Sequence, residues 1–129
     1  MIKSKTPWKA GWRTIGETNK YYRSGWEANY AYYLQWLKEN KQIQSWAHEP
    51  KTFWFEGIKQ GTTNYTPDFK VTLKDGTTEY HEVKGWMDAR SKLKIRRMKK
   101  YHPSIVLVVR DSAWFKEHRS FKNQIPGWI

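Results

Sequence analysis

Residues 65–86, YTPDFKVTLKDGTTEYHEVKGW, contain two acids and a lysine whose types and spacing suit metal-assisted chemistry. Asp68 and Glu82 offer hard carboxylate oxygens, which Mg²⁺ and Mn²⁺ prefer as ligands. A divalent ion between two carboxylates polarises a phosphodiester and lowers the pKa of a bound water, and an adjacent ammonium orients that water or stabilises developing charge. The sequence therefore predicts a metal site at Asp68 and Glu82, with Lys84 as the assisting cation.

The loop between two predicted strands decides whether these carboxylates meet. The strands cover about residues 64–73 and 77–84, and Lys-Asp-Gly at 74–76 joins them. A three-residue loop, a type I turn followed by a glycine in the left-handed conformation, places Asp68 directly opposite Glu82. A two-residue loop would send Glu82 to the other face of the hairpin. Carboxylates roughly 5 Å apart repel each other unless a cation lies between them, so the metal site predicts the three-residue loop.

An ordinary exposed hairpin is the alternative, in which the two acids form ion pairs with Lys70 or Lys84 across the strands. Three features favour the metal site: Pro67 precedes the first acid, one residue separates the second acid from its lysine, and Gly85 closes the strand. Strand alternation predicts one polar face with the acids and one mostly apolar face. It places His81 on the face away from the second acid, so we predict a core or surface histidine without a catalytic role.

The charge composition indicates a polyanionic partner. The chain of 129 residues has 24 Lys and Arg against 12 Asp and Glu, a net charge of +12 at pH 7. Such an excess on a small domain favours nucleic acid as the partner, with a solvated basic surface as the alternative. The absence of Cys excludes disulfides and thiolate metal sites. No apolar run reaches the roughly 18 residues that span a bilayer, and we recognise no signal peptide, so we expect an intracellular protein without membrane contact.

Two helices are predicted on either side of the hairpin. Aromatic and aliphatic residues recur at helical spacing over about residues 25–39. Ser24 is a natural N-cap for this helix, and Glu27 stands three residues later, as in a capping box. A second helix over about residues 88–101 begins at an Asp N-cap and must end before Pro103.

Further strands complete the predicted fold. Residues 42–58 are rich in aromatic and β-branched residues and are broken by Pro50, which predicts a strand, an interruption and a second strand. The apolar run at 104–109 predicts a strand buried on both faces, and residues 111–122 can form one short helix. The order α-β-β-β-α-β, with or without that last helix, predicts an α/β fold with a central mixed sheet flanked by helices.

The amino-terminal residues 1–23 are strongly basic and contain a single acid, Glu17. Gly11 and Gly16 interrupt any periodic pattern, which indicates a basic arm that orders only on a partner, or alternatively a solvated terminus. We predict that residues 24–129 form one domain, because the chain is too short for two ordinary ones.

Cations for holding nucleic acid are concentrated on the second predicted helix. Such a helix can run beside a phosphate backbone and hold it against the metals, although a solvated basic face is the alternative. The predicted DNA-binding residues are Arg23, Arg90, Lys92, Lys94, Arg96, Arg97, Lys99 and Lys100. Trp8, Trp12 and Trp86 are candidates for stacking on bases, with core packing as the alternative for each ring.

The motifs YRSGWE, YTPDF, EVKGW and IPGWI together resemble the phage endonuclease I type of Holliday junction resolvase, within the PD-(D/E)XK nuclease superfamily. The similarity covers about residues 22–110. It implies a restriction-endonuclease-like core, a single nuclease domain over 24–129, and Mg²⁺-dependent hydrolysis with one or two ions per site, which Mn²⁺ also supports. It further implies that Glu27 completes the acidic cluster, as a metal ligand or by activating a water, and that the backbone carbonyl of Val83 faces the metal.

The same resemblance implies branched double-stranded DNA as the substrate, with four-way junctions cut by paired nicks in the cytoplasm of a host cell. It implies an intertwined homodimer, whose exchanged segment is then expected in residues 41–61 and in which Glu27 can share a site with Asp68 of the partner subunit. Two alternatives stay open. One is a nuclease of the same superfamily with another DNA substrate, of the restriction, transposon-end or mismatch-nicking type, and the other is a DNA-binding protein that does not cleave.

Overall fold

The structure, a computed structural model, describes residues 10–129, and its first helix is the one that the apolar spacing predicts. Helix α1 spans Gly25–Glu39. The side chain of Ser24 is its N-cap and accepts a hydrogen bond from the backbone N–H of Glu27 at 3.1 Å. The helix ends at Asn40. The predicted bounds and the N-cap are therefore confirmed.

Part of the predicted basic arm is folded. Strands β1 (Gly11–Ile15) and β2 (Thr18–Tyr22) form an antiparallel hairpin. Its turn begins at Gly16, whose φ of +65° is a conformation that glycine adopts without strain. Residues 11–22 are therefore not the unstructured stretch that the sequence predicts, because alternation along the hairpin buries Ile15 and Tyr22 in the same cluster as α1. Residues 1–9 of the predicted arm lie outside the described residues.

A mixed sheet lies next to α1. The strands after the helix are β3 (Ser45–His48), β4 (Phe53–Trp54), β5 (Asn64–Tyr65), β6 (Phe69–Thr72), β7 (Thr78–Val83) and β8 (Leu107–Arg110). Four of them form one sheet in the order β3-β6-β7-β8, in which β8 runs parallel to β7 and the other neighbours are antiparallel. Strands β4 and β5 form a separate antiparallel pair. The predicted α/β class with a mixed sheet is present.

Two proline-containing segments divide strands. The predicted interruption at Pro50 separates β3 from β4. The single strand predicted over 64–73 is wrong, since β5 pairs with β4 whereas β6 pairs with β3 and β7. Pro67 lies between β5 and β6, and a proline has no N–H to donate to a sheet ladder. The break turns the chain just before Asp68.

The strand predicted at 104–109 begins later and lies in a different environment. In the described sheet β8 is the last strand of the order β3-β6-β7-β8, and its four residues are half-buried. Val106, in the same apolar run, is largely exposed. Burial on both faces is therefore the wrong prediction, since every residue of β8 stays partly exposed at the edge of the described sheet.

The two faces of the sheet are covered by different elements. Phe69 and Val71 are buried in the larger core cluster, together with residues of α1. On the other face Tyr80 is buried with Phe53 and Met98. This second face is the one that the sequence predicts to be polar. It is apolar at Tyr80, because β4, β5 and the helix that contains Met98 cover it. Its acids lie at the end of the strands.

The last elements follow the predicted order. Helix α2 (Ala89–Tyr101) has Asp88 as its N-cap, and the Asp88 carboxylate accepts from the backbone N–H of Ser91 at 2.8 Å. Helix α3 (Ser112–Glu117) and a 3₁₀ turn (Arg119–Asn123) occupy the region of the predicted final helix. None of the helices in the described part of the chain has the length and apolar character needed to cross a membrane.

The carboxyl-terminal residues return to α1. Ile125 and Trp128 are buried in the same cluster as that helix. The side-chain amide of Asn29 accepts from the backbone N–H of Ile129 and donates to its carbonyl, both at 2.9 Å. Gly127 approaches α1 so closely that a Cβ there would lie 2.3 Å from the ring of Tyr32. This end of the chain therefore packs on the helix that carries Glu27.

Candidate active site

The hairpin of β6 and β7 brings Asp68 and Glu82 together. The backbone N–H of Leu73 donates to the carbonyl of Thr77 at 2.8 Å, so three residues form the loop, and the glycine among them, Gly76, has φ +89°. The pairing of β6 with β7 follows the predicted register, which is thereby confirmed. The backbone N–H of Asp68 donates to Oε1 of Glu82 at 3.3 Å. A three-residue loop thus sets two acids from neighbouring strands against each other.

Each of these acids is held by further hydrogen bonds. Oδ2 of Asp68 accepts from the backbone N–H of Val83 at 2.8 Å, and Asp68 is only 6% exposed. Oε1 of Glu82 accepts from the hydroxyl of Tyr65 at 2.6 Å. The Nζ of Lys94 lies 5.8 Å from the centroid of the Tyr65 ring. The two carboxylates therefore have fixed orientations, and one α2 cation lies beside them.

Glu27 reaches the site from the first turn of α1. Its Oε1 accepts from the backbone N–H of Arg23 at 2.8 Å, while its Oε2 and Nε2 of His48 are 2.8 Å apart. The carboxylate therefore takes part in the cap of α1 and also lines the cleft that contains Asp68. The Glu27 carboxylate accepts from the N–H of Arg23, one residue before the N-cap, and Glu27 and Asp68 of one chain line the same cleft; the site role of Glu27 stays a prediction.

Arg23 lies among the acids. Its Nη2 contacts Oε2 of Glu49 and lies 3.7 Å from Oδ1 of Asp68. Burial lowers the pKa of Arg23, but the carboxylates of Glu49, Glu27, Asp68 and Glu82 more than offset this and raise it above its usual value. The sequence predicts Arg23 as a DNA contact; here it is also a counter-ion of the acidic cluster.

The acids in the cleft have perturbed protonation equilibria. Burial raises the pKa of Asp68 well above its usual value, and the negative charges of Glu82 and Glu27 raise it further. Burial also raises the pKa of Glu82, although the Tyr65 hydroxyl, the Asp68 N–H and the nearby cations Lys84 and Lys94 oppose the change. Several buried acids around one cleft are typical of sites where cations bind or proton transfer takes place.

A cleft of about 930 Å³ contains all four predicted catalytic residues. Its lining includes Glu27, Asp68, Glu82 and Lys84. Val83 also lines the cleft, and its role as a ligand through the backbone carbonyl stays a prediction. His81 does not line the cleft. It is buried and forms hydrogen bonds with Tyr30 and Glu79, which agrees with the predicted core histidine.

The predicted DNA-binding cations of α2 differ in position. Lys94 is the one among them that lines the cleft in the described structure. Arg97 donates to the carbonyl of Thr62 and so is bound to the loop before β5. The remaining predicted cations of the helix are exposed; they are Arg90, Lys92, Arg96, Lys99 and Lys100. One lysine therefore faces the acids, while five charges face solvent along the helix.

The tryptophans predicted for base stacking are exposed where the structure describes them. Trp86 is 78% exposed and lines the cleft, and Trp12 is 70% exposed on the β1–β2 hairpin. Core packing, the alternative for these two rings, is therefore wrong. Trp8 lies outside the described residues.

Sequence reasoning missed Tyr65, His48 and Glu49. Tyr65 stands in the YTPDF motif, so its nearness to Asp68 along the chain was a usable signal. Nothing in the sequence indicated the other two, because their contacts depend on the pairing of β3 with β6. Next to the paired residues, the backbone N–H of Glu49 donates a hydrogen bond to the carbonyl of Asp68 at 2.7 Å.

The donor set around the cleft is rich in oxygen. Asp68, Glu82 and Glu27 contribute carboxylates, which suit hard divalent ions. Potential ligand atoms of Glu27, His48 and Glu49 also lie within 4.8 Å of one another. Among the described residues, the three potential ligands that lie this close together are therefore Glu27, His48 and Glu49, whereas Asp68 and Glu82 share only the cleft with Glu27.

Comparisons with known proteins give a family but no activity. The family described as Protein of unknown function (DUF1064) matches residues 9–117, which include every predicted catalytic residue and exclude the carboxyl-terminal segment. Neither the curated proteins nor the solved structures contain a match to this chain. Because the family match covers well over half of the sequence, the chain belongs to the DUF1064 family.

Proposed function

We propose that this chain is a Mg²⁺-dependent DNA endonuclease that cuts branched DNA, chiefly four-way junctions, by paired nicks. Asp68 and Glu82 hold the ion, Glu27 completes the acidic cluster, and Lys84 assists the attacking water. One observation carries the proposal: the Glu82 carboxylate accepts a hydrogen bond from the backbone N–H of Asp68, and these two acids line one cleft with a third acid and a lysine, in a chain of net charge +12.

The acids fit a hard divalent cation. Asp68 and Glu82 offer oxygens, as Mg²⁺ and Mn²⁺ require, and their burial makes an uncompensated pair of charges costly. We propose one or two ions per site, with Val83 contributing its carbonyl. When bound, the ion supplies Lewis-acid activation of a phosphodiester and of a water.

The other residues of the cleft orient these groups. Tyr65 fixes one oxygen of Glu82 by its hydroxyl, and the Val83 N–H fixes one oxygen of Asp68. Lys84 and Lys94 both interact with the Glu82 charge, so their ammonium groups are close to where a scissile phosphate would lie. We assign the positioning of water or the stabilisation of developing charge to Lys84.

The charge distribution suits a substrate recognised by its backbone and shape. Lys94 lines the cleft, and the exposed cations of the same helix can contact phosphates without reading bases. Binding is therefore expected to fall steeply with salt and to show little sequence preference.

The order of elements supports a restriction-endonuclease-like core as part of this proposal. Helix α1, the antiparallel strands β3, β6 and β7, helix α2 and the parallel strand β8 follow the order α-β-β-β-α-β. We further propose a homodimer with two such clefts, one for each DNA strand, with residues 41–61 as the exchanged segment if strands are swapped. Its place of action in this proposal is the cytoplasm of a host cell.

Cleavage of an end-labelled four-way junction and of a matched linear duplex, each with Mg²⁺ and with EDTA, tests the proposal. We expect paired cuts near the branch point with Mg²⁺ alone, and an intact duplex. Cutting of the duplex would favour a nuclease with another DNA substrate. Tight binding without cleavage in Mg²⁺ and in Mn²⁺ would favour the DNA-binding protein that does not cleave.

Asp68→Ala and Asp75→Ala form a matched pair for the same assay. Asp75 is exposed in the loop of the same hairpin, so its replacement controls for a general effect on the hairpin. We expect Asp68→Ala to abolish cleavage and to retain junction binding, and Asp75→Ala to cut normally. Loss of binding and cleavage together in a folded Asp68→Ala protein would contradict the assigned role.

A further inference from the structure

A tryptophan at the rim of the cleft has no packing role that explains it. Trp86 is 78% exposed, although large apolar rings are mostly buried in folded domains and this chain buries others, including Trp128. Trp86 stands two residues after Lys84 and lines the same cleft as Asp68. Its place in the lining of a charged cleft, and not its exposure alone, makes this ring a candidate ligand contact.

The backbone before Trp86 is fixed in place. A Cβ at Gly85 would lie 2.6 Å from the Trp26 ring, so the chain crosses Trp26 at a distance that glycine alone allows. The Trp26 ring is itself stacked on Phe115 at 4.9 Å with an interplanar angle of 21°. The end of β7 therefore rests on a packed aromatic pair, which gives Trp86 a firm attachment beside the carboxylates.

The charges around Trp86 indicate which class of ligand it could bind. Lys84 and Lys94 line the same cleft, and the exposed cations of α2 lie beyond it. A ligand with phosphates for the lysines and a flat ring for the tryptophan is a nucleotide of a nucleic acid strand. A base within a duplex has both faces covered by its neighbours, whereas an unpaired base has a face free to stack.

We propose that Trp86 is a stacking platform for an unpaired base next to the phosphate in the cleft. This inference rests on the nucleic-acid part of the proposed function and adds a substrate class to it. The preferred substrates are branched DNAs that present unpaired nucleotides at the branch, such as flaps, forks and open junction centres. Fully paired DNA makes the phosphate contacts alone and binds less tightly.

Binding measured in EDTA tests the platform without any need for cleavage. The probes are a fluorescein-labelled single-stranded oligodeoxynucleotide and the corresponding duplex, titrated over a series of salt concentrations. We expect Trp86→Ala to weaken binding of the single strand about tenfold, as loss of one base–aromatic stack does. Binding of the duplex and the salt dependence of both affinities should be unchanged, because no phosphate contact is removed.

Two variants make the result specific. Trp86→Phe retains an aromatic face and should recover most of the affinity. Trp54→Ala removes another largely exposed ring, one on β4 that is not part of the cleft lining, and should bind like the unmodified protein. Lys94→Ala should instead reduce the slope of log affinity against log salt by about one, for single strand and duplex alike.

The outcomes separate this inference from the proposed function. Single-strand binding that does not depend on Trp86, or equal losses for single strand and duplex in Trp86→Ala, overturns the platform alone. Dependence on Trp86 without cleavage of any DNA in Mg²⁺ or Mn²⁺ supports the platform and overturns the endonuclease. Failure of the unmodified protein to bind the single strand overturns the platform, whereas absence of junction cleavage in Mg²⁺ and in Mn²⁺ overturns the endonuclease.

Discussion

Acids in two regions of this molecule have opposite electrostatic properties. Asp75 in the β6–β7 loop and Asp88 at the start of α2 are exposed, and neighbouring N–H and O–H groups that donate to them lower their pKa values. Asp68 and Glu82 are largely withdrawn from solvent, and burial raises their pKa values. The first pair stabilises a turn and a helix end. The second pair lowers the stability of the fold when it is ionised, because its charges are buried. Such acids are typical of sites for binding or catalysis.

The largest expected difference between the two regions is in cleavage. Glu82→Gln keeps the size and the hydrogen-bond acceptor for Tyr65 but removes the charge that would hold the ion, so we expect the junction cleavage rate to fall at least about a hundredfold. Asp75→Asn keeps a side-chain oxygen that can accept from Thr77, lies outside the cleft lining and should retain the rate within about threefold. Single-turnover cleavage in Mg²⁺ measures both. Equal cleavage rates for the two variants would show that the buried acids are no more important for cleavage than the exposed ones.

A smaller effect is expected from the group that orients Glu82. Tyr65→Phe removes the hydroxyl that donates to Oε1 of Glu82 at 2.6 Å, and groups that orient metal ligands typically contribute about tenfold or more to metal affinity. The Mg²⁺ concentration that gives half-maximal cleavage should therefore rise about tenfold, while the rate at saturating Mg²⁺ falls less. A fall in rate that no Mg²⁺ concentration recovers would show that Tyr65 does not act through the ligand.

Stability should change in opposite directions in the two regions. Because folding raises the pKa of Asp68, its contribution to stability is fully present below the unfolded value of about 4 and is lost as the pH rises through the folded value. At pH 7 without metal, Asp68→Asn should therefore stabilise the fold and raise Tm, and the gain should disappear towards pH 4. Folding lowers the pKa of Asp75, so its ionised carboxylate stabilises the fold at any pH above the pKa of the unfolded state. Asp75→Asn removes this contribution and should lower Tm at pH 7. Thermal unfolding at several pH values tests both signs, and a lower Tm for Asp68→Asn would break the comparison.

The smallest effect is that of the metal on the folded protein. At a Mg²⁺ concentration equal to its Kd, binding adds about 0.4 kcal/mol to stability, which corresponds to a rise of about one or two degrees in Tm. We expect this rise for the unmodified protein and for Asp75→Asn. Asp68→Asn should show none, and a Mg²⁺ response that survives in that variant would place the ion elsewhere.

Local signals predicted the parts of the fold that depend on local structure. The apolar spacing and Ser24 set the bounds of α1, and the Lys-Asp-Gly loop set the register that brings Asp68 opposite Glu82. Both depend on residues near one another in the chain. The β1–β2 hairpin was missed because its few apolar residues, Ile15 and Tyr22, have a reason to be buried only once α1 is beside them.

The site was predictable to a similar degree. Asp68, Glu82 and Lys84 belong to one hairpin, and a parity argument was enough to place them together. Glu27 was predicted from the family resemblance and not from the residue pattern. Its contact with His48 depends on how α1 packs on β3, and residue spacing does not reveal that packing. The position of Arg23 among the acids is likewise a product of tertiary packing, because the sequence alone shows it as one more cation.

The anchoring of the carboxyl-terminal residues on α1 has a consequence for synthesis on the ribosome. Asn29 binds the backbone of Ile129, and Ile125 and Trp128 cover the core that α1 shares, although about a hundred residues separate the partners. A nascent chain can form α1 and the hairpin early, but α1 stays partly uncovered until these residues leave the exit tunnel. Because α1 also carries Glu27, the complete acidic cleft is expected to become rigid only after residues 125–129 have left the ribosome.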